Sequence, residues 1–573
     1  MGQVQPTTRC PLCSLACRVA FDFGPDDKRD EILTGYVSTD PVTQGRLCFR
    51  GHYLAEMATH PLRITGAGVR NGDALHPEPV EKAISYLAIR LREAGTRAAV
   101  LVDGNLPTED VAAAGIFARE IVGSASFCVH LPDGDLALLH GLKGDATMLP
   151  FADVGGRDML LVVGDAFATH PVISRPVLEA RAARKLRLFG IDCMPNRVTG
   201  FAERFLRVAP GGEAAALAAI HVLARKRPPE GAAWAEGRSP AELAAMAGVQ
   251  ETDLGPVARA LTESKRPAIV LDPVPARMTN VAACASVASA LCKDGAALLP
   301  LFQYGNAVGA GRVSTTLGTT TLEKLVEAVG QGKVAAIFAI GVDIFAALGE
   351  GLARSVVRRV PFLAVASAFR CRTTEAAKLV LPLALPFEVS GSLIEAAGAR
   401  CALDALLEPP GDAMSVRDIC RQLAFALDLW QPEGSTAMLG SAFRGCAPIE
   451  LIPADRPLQG LRLVARSDTP DLPGGAVSRF LAWPRHCEPE PVLLMNPTDL
   501  QARELRARSR VVVRANGNEA LATVRSSSDV PCGMASISTA FEETKPLFPR
   551  RSYGDGLSEP CWSEADVTVL EKE

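Results

Sequence analysis

Cys10, Cys13 and Cys17 are packed into eight residues of the stretch TTRCPLCSLACRVAFDF, and Cys48 follows in GRLCFRGHY. The spacing is C-x2-C-x3-C-x30-C. Three thiolates from one tight loop can cap three corners of an iron–sulfur cubane, with the fourth corner supplied from elsewhere in the chain. Zinc sites more often draw on two separated C-x2-C pairs, and a disulfide framework needs an oxidising compartment. The residues therefore favour a [4Fe-4S] cluster, with zinc and unrelated thiols as the alternatives.

The elements that must position these thiols come next. Val19–Phe23 reads as a strand, closed by turn residues at Gly24-Pro25-Asp26-Asp27. Beyond residue 65, Pro79–Gly95 has apolar residues at helical spacing, and the apolar run Arg97–Gly104 after it predicts a strand. The theme repeats at Arg157–Pro171, Pro176–Asp192, Arg266–Pro273, Lys333–Asp343 and Pro361–Phe369. Short, fully apolar strands alternating with helices predict parallel sheets covered on both faces, with ligands bound off the carboxyl ends of the strands. Gly164, Asp165, Asp192 and Gly341 sit at those ends, and the glycine-rich YGNAVGAGR, containing Gly305, is a candidate phosphate loop. Near the C-terminus, strands Arg510–Ala515 and Glu519–Arg525 joined by Asn516-Gly517-Asn518 predict a hairpin.

At 573 residues the chain is too long for one core, and about 150 residues per domain predicts three or four. A net charge of -4 and 5% aromatic content argue against a nucleic-acid partner. The most apolar stretch, VAAIFAIGVDIFAALGEGLA, carries Asp343 and Glu350, so no membrane span is expected. Of 15 cysteines, 11 are scattered singly, which suits reduced core residues. With an N-terminus that does not read as a secretory leader, the expected compartment is the cytoplasm.

The cysteine spacing followed by Gly45, Leu47, Cys48, Arg50 and Gly51 resembles the start of the molybdopterin oxidoreductase family. That family includes formate dehydrogenase catalytic subunits and the large iron–sulfur subunit of complex I. HPLRI (His60–Ile64) resembles the family's link into the next domain, and GDAFATHPV, KLVLPLALPFEVSGSLIEAAGAR and the PVLLMNPTDL region resemble later family stretches. The resemblance implies an α/β multi-domain chain: a [4Fe-4S] domain over 1–62, two interleaved α/β lobes over 63–450 with helices on both faces of parallel or mixed sheets, and a C-terminal β-barrel over 451–573. It places Arg50 on an electron path beside the cluster; the residue alone would also suit a surface arginine paired with an acid. It further implies a molybdopterin guanine dinucleotide carrying molybdenum or tungsten, with Gly164, Asp192, Gly305, Gly341, Gly391 and Arg400 at the matching cofactor positions.

The sequence departs from the family where that metal would be held. In FCVHLPDGD, aligning Cys128 with the family's first cysteine puts Pro132 at the ligand position, and proline has no side-chain donor. The other alignment makes Cys128 the ligand with His130 close by, and Asp133 or Asp135 are carboxylate options. A buried core Cys128 is the plain reading. His170 also matches a family position, and a structural histidine is the reading preferred for it. Asp165 stands where the family has a neutral donor, and the arginine expected after Asp192 is replaced by Cys193-Met194. These residues predict a redox subunit that passes electrons to iron–sulfur or flavin partner subunits, its substrate site degenerate. An active molybdenum or tungsten enzyme and a structural zinc subunit are the alternatives.

Overall fold

The computed structural model describes residues 6–23, 32–40, 42–429, 460–466, 486–554 and 557–570. The expected turn at 24–27 lies outside them. The chain divides into two discontinuous compact units, Met1–Pro132 with Tyr304–Ala442, and Asp133–Gln303 with Phe443–Glu573.

The first unit opens with a three-stranded antiparallel sheet, Thr7–Arg9, Arg18–Asp22 and Leu33–Tyr36. Its larger sheet has seven strands in the order Ala74–Pro77, Gly68–Asn71, Leu379–Pro382, Phe362–Ser367, Ala336–Ile340, Ala98–Asp103 and Ser126–His130. The last five run parallel. The pleat explains their apolar runs. Ala98, Val100 and Val102 face a core with helices Val80–Ala94, Thr108–Ile116 and Val416–Ala426, while Ala99 and Leu101 face a second core with Leu322–Gly330 and Glu350–Arg359. The stretch 334–353 is a strand followed by short helices, and no helix among the described residues is long and apolar enough to cross a membrane.

The second unit holds a five-stranded parallel sheet in the order Arg204–Arg207, Arg187–Asp192, Met159–Gly164, Pro267–Asp272 and Ala297–Pro300. It also holds the expected barrel, closed by Leu461–Ala465, Met534–Ile537, Val492–Met495, Asn518–Ser526, Arg510–Ala515 and Ser563–Val569. Inward residues such as Leu463, Val511, Val513, Val524 and Ile537 fill it. Its hairpin turn is one residue tighter than the sequence suggested. Asn516 and Gly517 adopt φ of 51° and 71°, the left-handed pair of a two-residue turn, and Asn518 already pairs with Ala515.

Glu559 ties the strand Leu557–Pro560 to a helix of the same unit. Its carboxylate accepts the N–H groups of Asn280 (2.7 Å) and Val281 (3.2 Å) at the start of helix Val281–Lys293. Burial nevertheless pushes the carboxyl up to about 7, against these two bonds. The folded chain then keeps a proton that the unfolded chain releases, so stability should fall as pH rises from about 4.5 to about 7. Glu559→Gln, which cannot titrate, should flatten that part of a plot of urea midpoint against pH.

Candidate metal centre

The three clustered cysteines occupy the connection of the N-terminal hairpin, whose strands set Arg9 opposite Arg18. The Cys10 N–H donates to the Cys17 carbonyl at 2.8 Å and closes the loop, and Ala16 takes φ 46° to turn the chain inside it. Cys10, Cys13 and Cys17 are buried; Cys48 is half-buried and begins the one-turn helix Phe49–His52. The four thiols act on one another. Burial pushes Cys10 far up, and Cys13 and Cys48 add to it; Cys17 is raised by burial and then by Cys13, Cys10 and Cys48. Clustered thiols that resist ionising together are what a polycation must compensate. Arg50 supplies one positive charge. It is 1% exposed, not a surface residue, and it favours the Cys10 thiolate.

Four thiols of this kind suit either a cubane or a tetrahedral zinc ion. Among the described residues, Asp192, Cys193 and Glu213 also bring their ligand atoms within 4.8 Å of one another.

Gly305, expected in a phosphate loop, packs on the cysteine loop. Its N–H donates to the Pro11 carbonyl (3.2 Å) and to Asn105 Oδ1 (2.8 Å). A Cβ there would stand 2.7 Å from the Pro11 oxygen. Asn306 continues the clamp, donating to the Leu106 carbonyl and accepting from Thr108 and from the Ile394 N–H. The hairpin Gly391–Ile394/Arg400–Leu403 leads into a second contact, from the Ala396 N–H to the Ser14 carbonyl. Gly305→Ala should therefore displace the Cys10–Cys13 loop and lower the iron bound per chain, at a cost of about 1–3 kcal/mol in stability. Anaerobic iron assay beside a denaturation curve checks both.

The other positions expected at a cofactor in this unit are engaged within the protein. Gly341 (φ 73°) turns the chain after Ala336–Ile340 and lies against Asp103. Ser392, beside Gly391, donates to Glu109 through both its N–H (2.8 Å) and its hydroxyl (2.7 Å), and Arg400 donates to Glu109 at 2.8 Å. Burial opposes the Glu109 charge, but these bonds hold its carboxyl below the usual range. Cys128 is fully buried in the apolar core beside Leu101, Ile337 and Ala339, where burial holds its thiol far up. His130 closes the same strand, with its ring 6.3 Å from that of Tyr304.

In the second unit, Gly164 (φ 99°) ends its strand and its carbonyl accepts from Asn196 Nδ2 at 2.9 Å. Asp165 is buried. Asp192 is saturated: it accepts from Arg277 Nε (2.9 Å) and Nη2 (2.6 Å), from Asn196 Nδ2 (2.8 Å) and from the Cys193 N–H (2.7 Å). Burial works against the Arg277 charge, yet Asp192 holds the guanidinium protonated well past its usual range. Glu213 beside them is pushed well up by burial and by Asp192. His170 is buried, with Nδ1 by Thr169 Oγ1 (2.9 Å) and Nε2 by the Phe302 carbonyl (3.0 Å), a structural setting. Asp133 pairs with Arg550, and Asp135 accepts the Gln303 N–H. Sequence reasoning missed Arg277. It stands in PVPARMTN, with no motif to mark it.

No family model matches the chain. The chain is 26% identical over 220 residues to a subunit of the NADH-quinone oxidoreductase of Rhizobium meliloti, covering 37% of this chain and 25% of that protein. It is 22% identical over 467 residues to the NADPH-Fe(3+) oxidoreductase subunit alpha of Geobacter sulfurreducens, covering 72% of this chain and 55% of that protein. The matched stretches thus span a quarter to about half of these relatives. Acetylene hydratase from Pelobacter acetylenicus shares the fold, with a TM-score of 0.75 over 99% of this chain and 100% of that one, at 14% identity. The sequence relatives and the fold neighbour fall in the molybdopterin oxidoreductase family that the N-terminal motif resembles.

Proposed function

We propose that this chain is a redox subunit that holds one [4Fe-4S] cluster on Cys10, Cys13, Cys17 and Cys48 and relays electrons within a multi-subunit complex. The observation that carries the reading is a contrast. The four cysteines converge with the buried Arg50 in one site, while the positions that would hold a pterin and its metal are taken by partners inside the protein. The cluster, when bound, supplies one-electron redox chemistry. The residues do the rest. The hairpin loop fixes three ligands, Cys48 adds a fourth from a separate segment, and Arg50 offsets thiolate charge and lies on the electron path. Gly305 and Asn306 hold the loop down.

The pterin dinucleotide is a poor match to the residues present. Asp192 has no free acceptor while Arg277 holds it, Arg400 is committed to Glu109, and Cys128 is enclosed by aliphatic side chains. The substrate site is accordingly degenerate, and the chain exchanges electrons with iron–sulfur or flavin partners in the cytoplasm. The domains are a cluster domain over 1–62, α/β lobes over 63–450 and a barrel from 451.

Elemental and pterin analysis of the anaerobically purified native complex, resolved by subunit, tests this. About four irons in this chain, one cubane, with neither molybdenum, tungsten nor pterin is the expected result. Stoichiometric pterin with molybdenum or tungsten would overturn the degenerate site, and one zinc without iron would overturn the cluster.

A further inference from the structure

We infer that Asp103 takes up a proton when the neighbouring cluster is reduced, so that this chain moves a proton together with its electron. The inference rests on the cluster proposed above. It is carried by a connected set of hydrogen bonds. Asp103 ends the strand Ala98–Asp103; its Oδ1 accepts the Asn105 N–H at 3.1 Å, and Tyr304 donates its hydroxyl to the same carboxylate. Asn105 Oδ1 accepts the Gly305 N–H at 2.8 Å, and that N–H is shared with the Pro11 carbonyl at 3.2 Å. Pro11 stands between the ligands Cys10 and Cys13. The acid is therefore three hydrogen bonds from the loop that carries the cluster.

The surroundings suit a proton site. Burial raises the Asp103 carboxyl to about 7, against the bonds from Asn105 and Tyr304, so it changes occupancy for a small change in local field. His130 pairs with it in register across the adjacent strand and is half-buried, its ring against that of Tyr304. On the other side lies Gly341, after which Asp343 is spent on Phe345 and Thr373. An added electron attracts a proton most strongly where the medium between them is poorly polarisable. The balance is simple. A low-potential iron–sulfur or flavin donor gives one electron to the cluster, and water gives one proton to a carboxylate oxygen of Asp103, forming an O–H bond.

The test is a redox titration of the cluster's electron paramagnetic resonance signal in the native complex, repeated across pH. The midpoint potential should become more negative as pH rises above about 7, approaching a slope of about 59 mV per pH unit for one proton per electron. Asp103→Asn should flatten that slope with iron content and signal unchanged. Tyr304→Phe, which removes a bond favouring the charged carboxylate, should move the onset to higher pH. Infrared difference spectra should show a protonated carboxyl band on reduction that Asp103→Asn abolishes. A pH-independent potential in a chain with an intact cluster signal, or a slope that survives Asp103→Asn, would overturn the inference. Absence of iron and of the signal would overturn the cluster reading instead.

Discussion

A chain carrying Cys48→Ala should be purified without its cubane. Iron should fall from about four per chain to near zero, and the visible charge-transfer absorption should go with it. The magnitude follows from the placement of the ligands. Cys10, Cys13 and Cys17 share one loop closed by the Cys10–Cys17 backbone bond, so they reach one side of a cluster only. Cys48 comes from a separate segment at the start of the helix Phe49–His52, and Arg50 and Gly51 of that helix approach Cys10. Losing Cys48 opens one corner at the half-buried edge of the site, where solvent reaches it. The fold should survive, because the strands Thr7–Arg9 and Arg18–Asp22 are joined by their own backbone pairing, and far-ultraviolet circular dichroism separates loss of cluster from loss of structure. Full retention of iron would remove Cys48 from the ligand set.

The largest stability effect should come from Arg277→Met. Arg277 and Asp192 are each almost wholly buried and joined by two bonds, and Glu213 lies close behind, its carboxyl pushed well up by burial. Removing the guanidinium strands a carboxylate in the interior, which costs about 3–5 kcal/mol. The double variant Arg277→Met/Asp192→Leu takes both charges out and should recover most of that loss, since a buried pair is worth little over a packed apolar one. Urea midpoints of the wild type and of the single and double variants form the test. A single variant as stable as wild type would mean that the pair is hydrated in solution.

What the sequence disclosed follows the range of the interactions. The strand at Ala98–Asp103 and the helix at Val80–Ala94 rest on local periodicity, and both lie within a residue or two of where the apolar pattern puts them. The cysteine loop was legible for the same reason, since three ligands share eight residues. Arg277 with Asp192, separated by 85 residues, and Gly305 with Asn105, separated by 200, were not. Those pairings depend on which strand ends the topology brings side by side, and no local pattern encodes that. YGNAVGAGR admits two readings because glycine answers two needs with the same residue. It lets backbone approach a phosphate, and it equally lets backbone approach other parts of the protein, as Gly305 does with the Pro11 backbone and Gly309 with the side chains of Asn306 and Thr108. Asp103 carried a signal that went unused: an acid at the carboxyl end of a parallel strand, the same station as Gly164–Asp165.

The interleaved order of the two units has a consequence for biosynthesis. Ala98–Asp103 has its inner edge covered by Ala336–Ile340, which leaves the ribosome more than two hundred residues later. At roughly 5–20 residues per second, that edge waits about ten to fifty seconds for its partner. Gly305 and the strands Gly391–Ile394 and Arg400–Leu403, which close over the cysteine loop, arrive late as well. A nascent chain thus displays its four thiols before the cover exists, a natural interval for a cluster carrier to deliver its cargo. It also displays an unpaired strand edge for the same interval, so loading and protection from aggregation compete for the same seconds of synthesis.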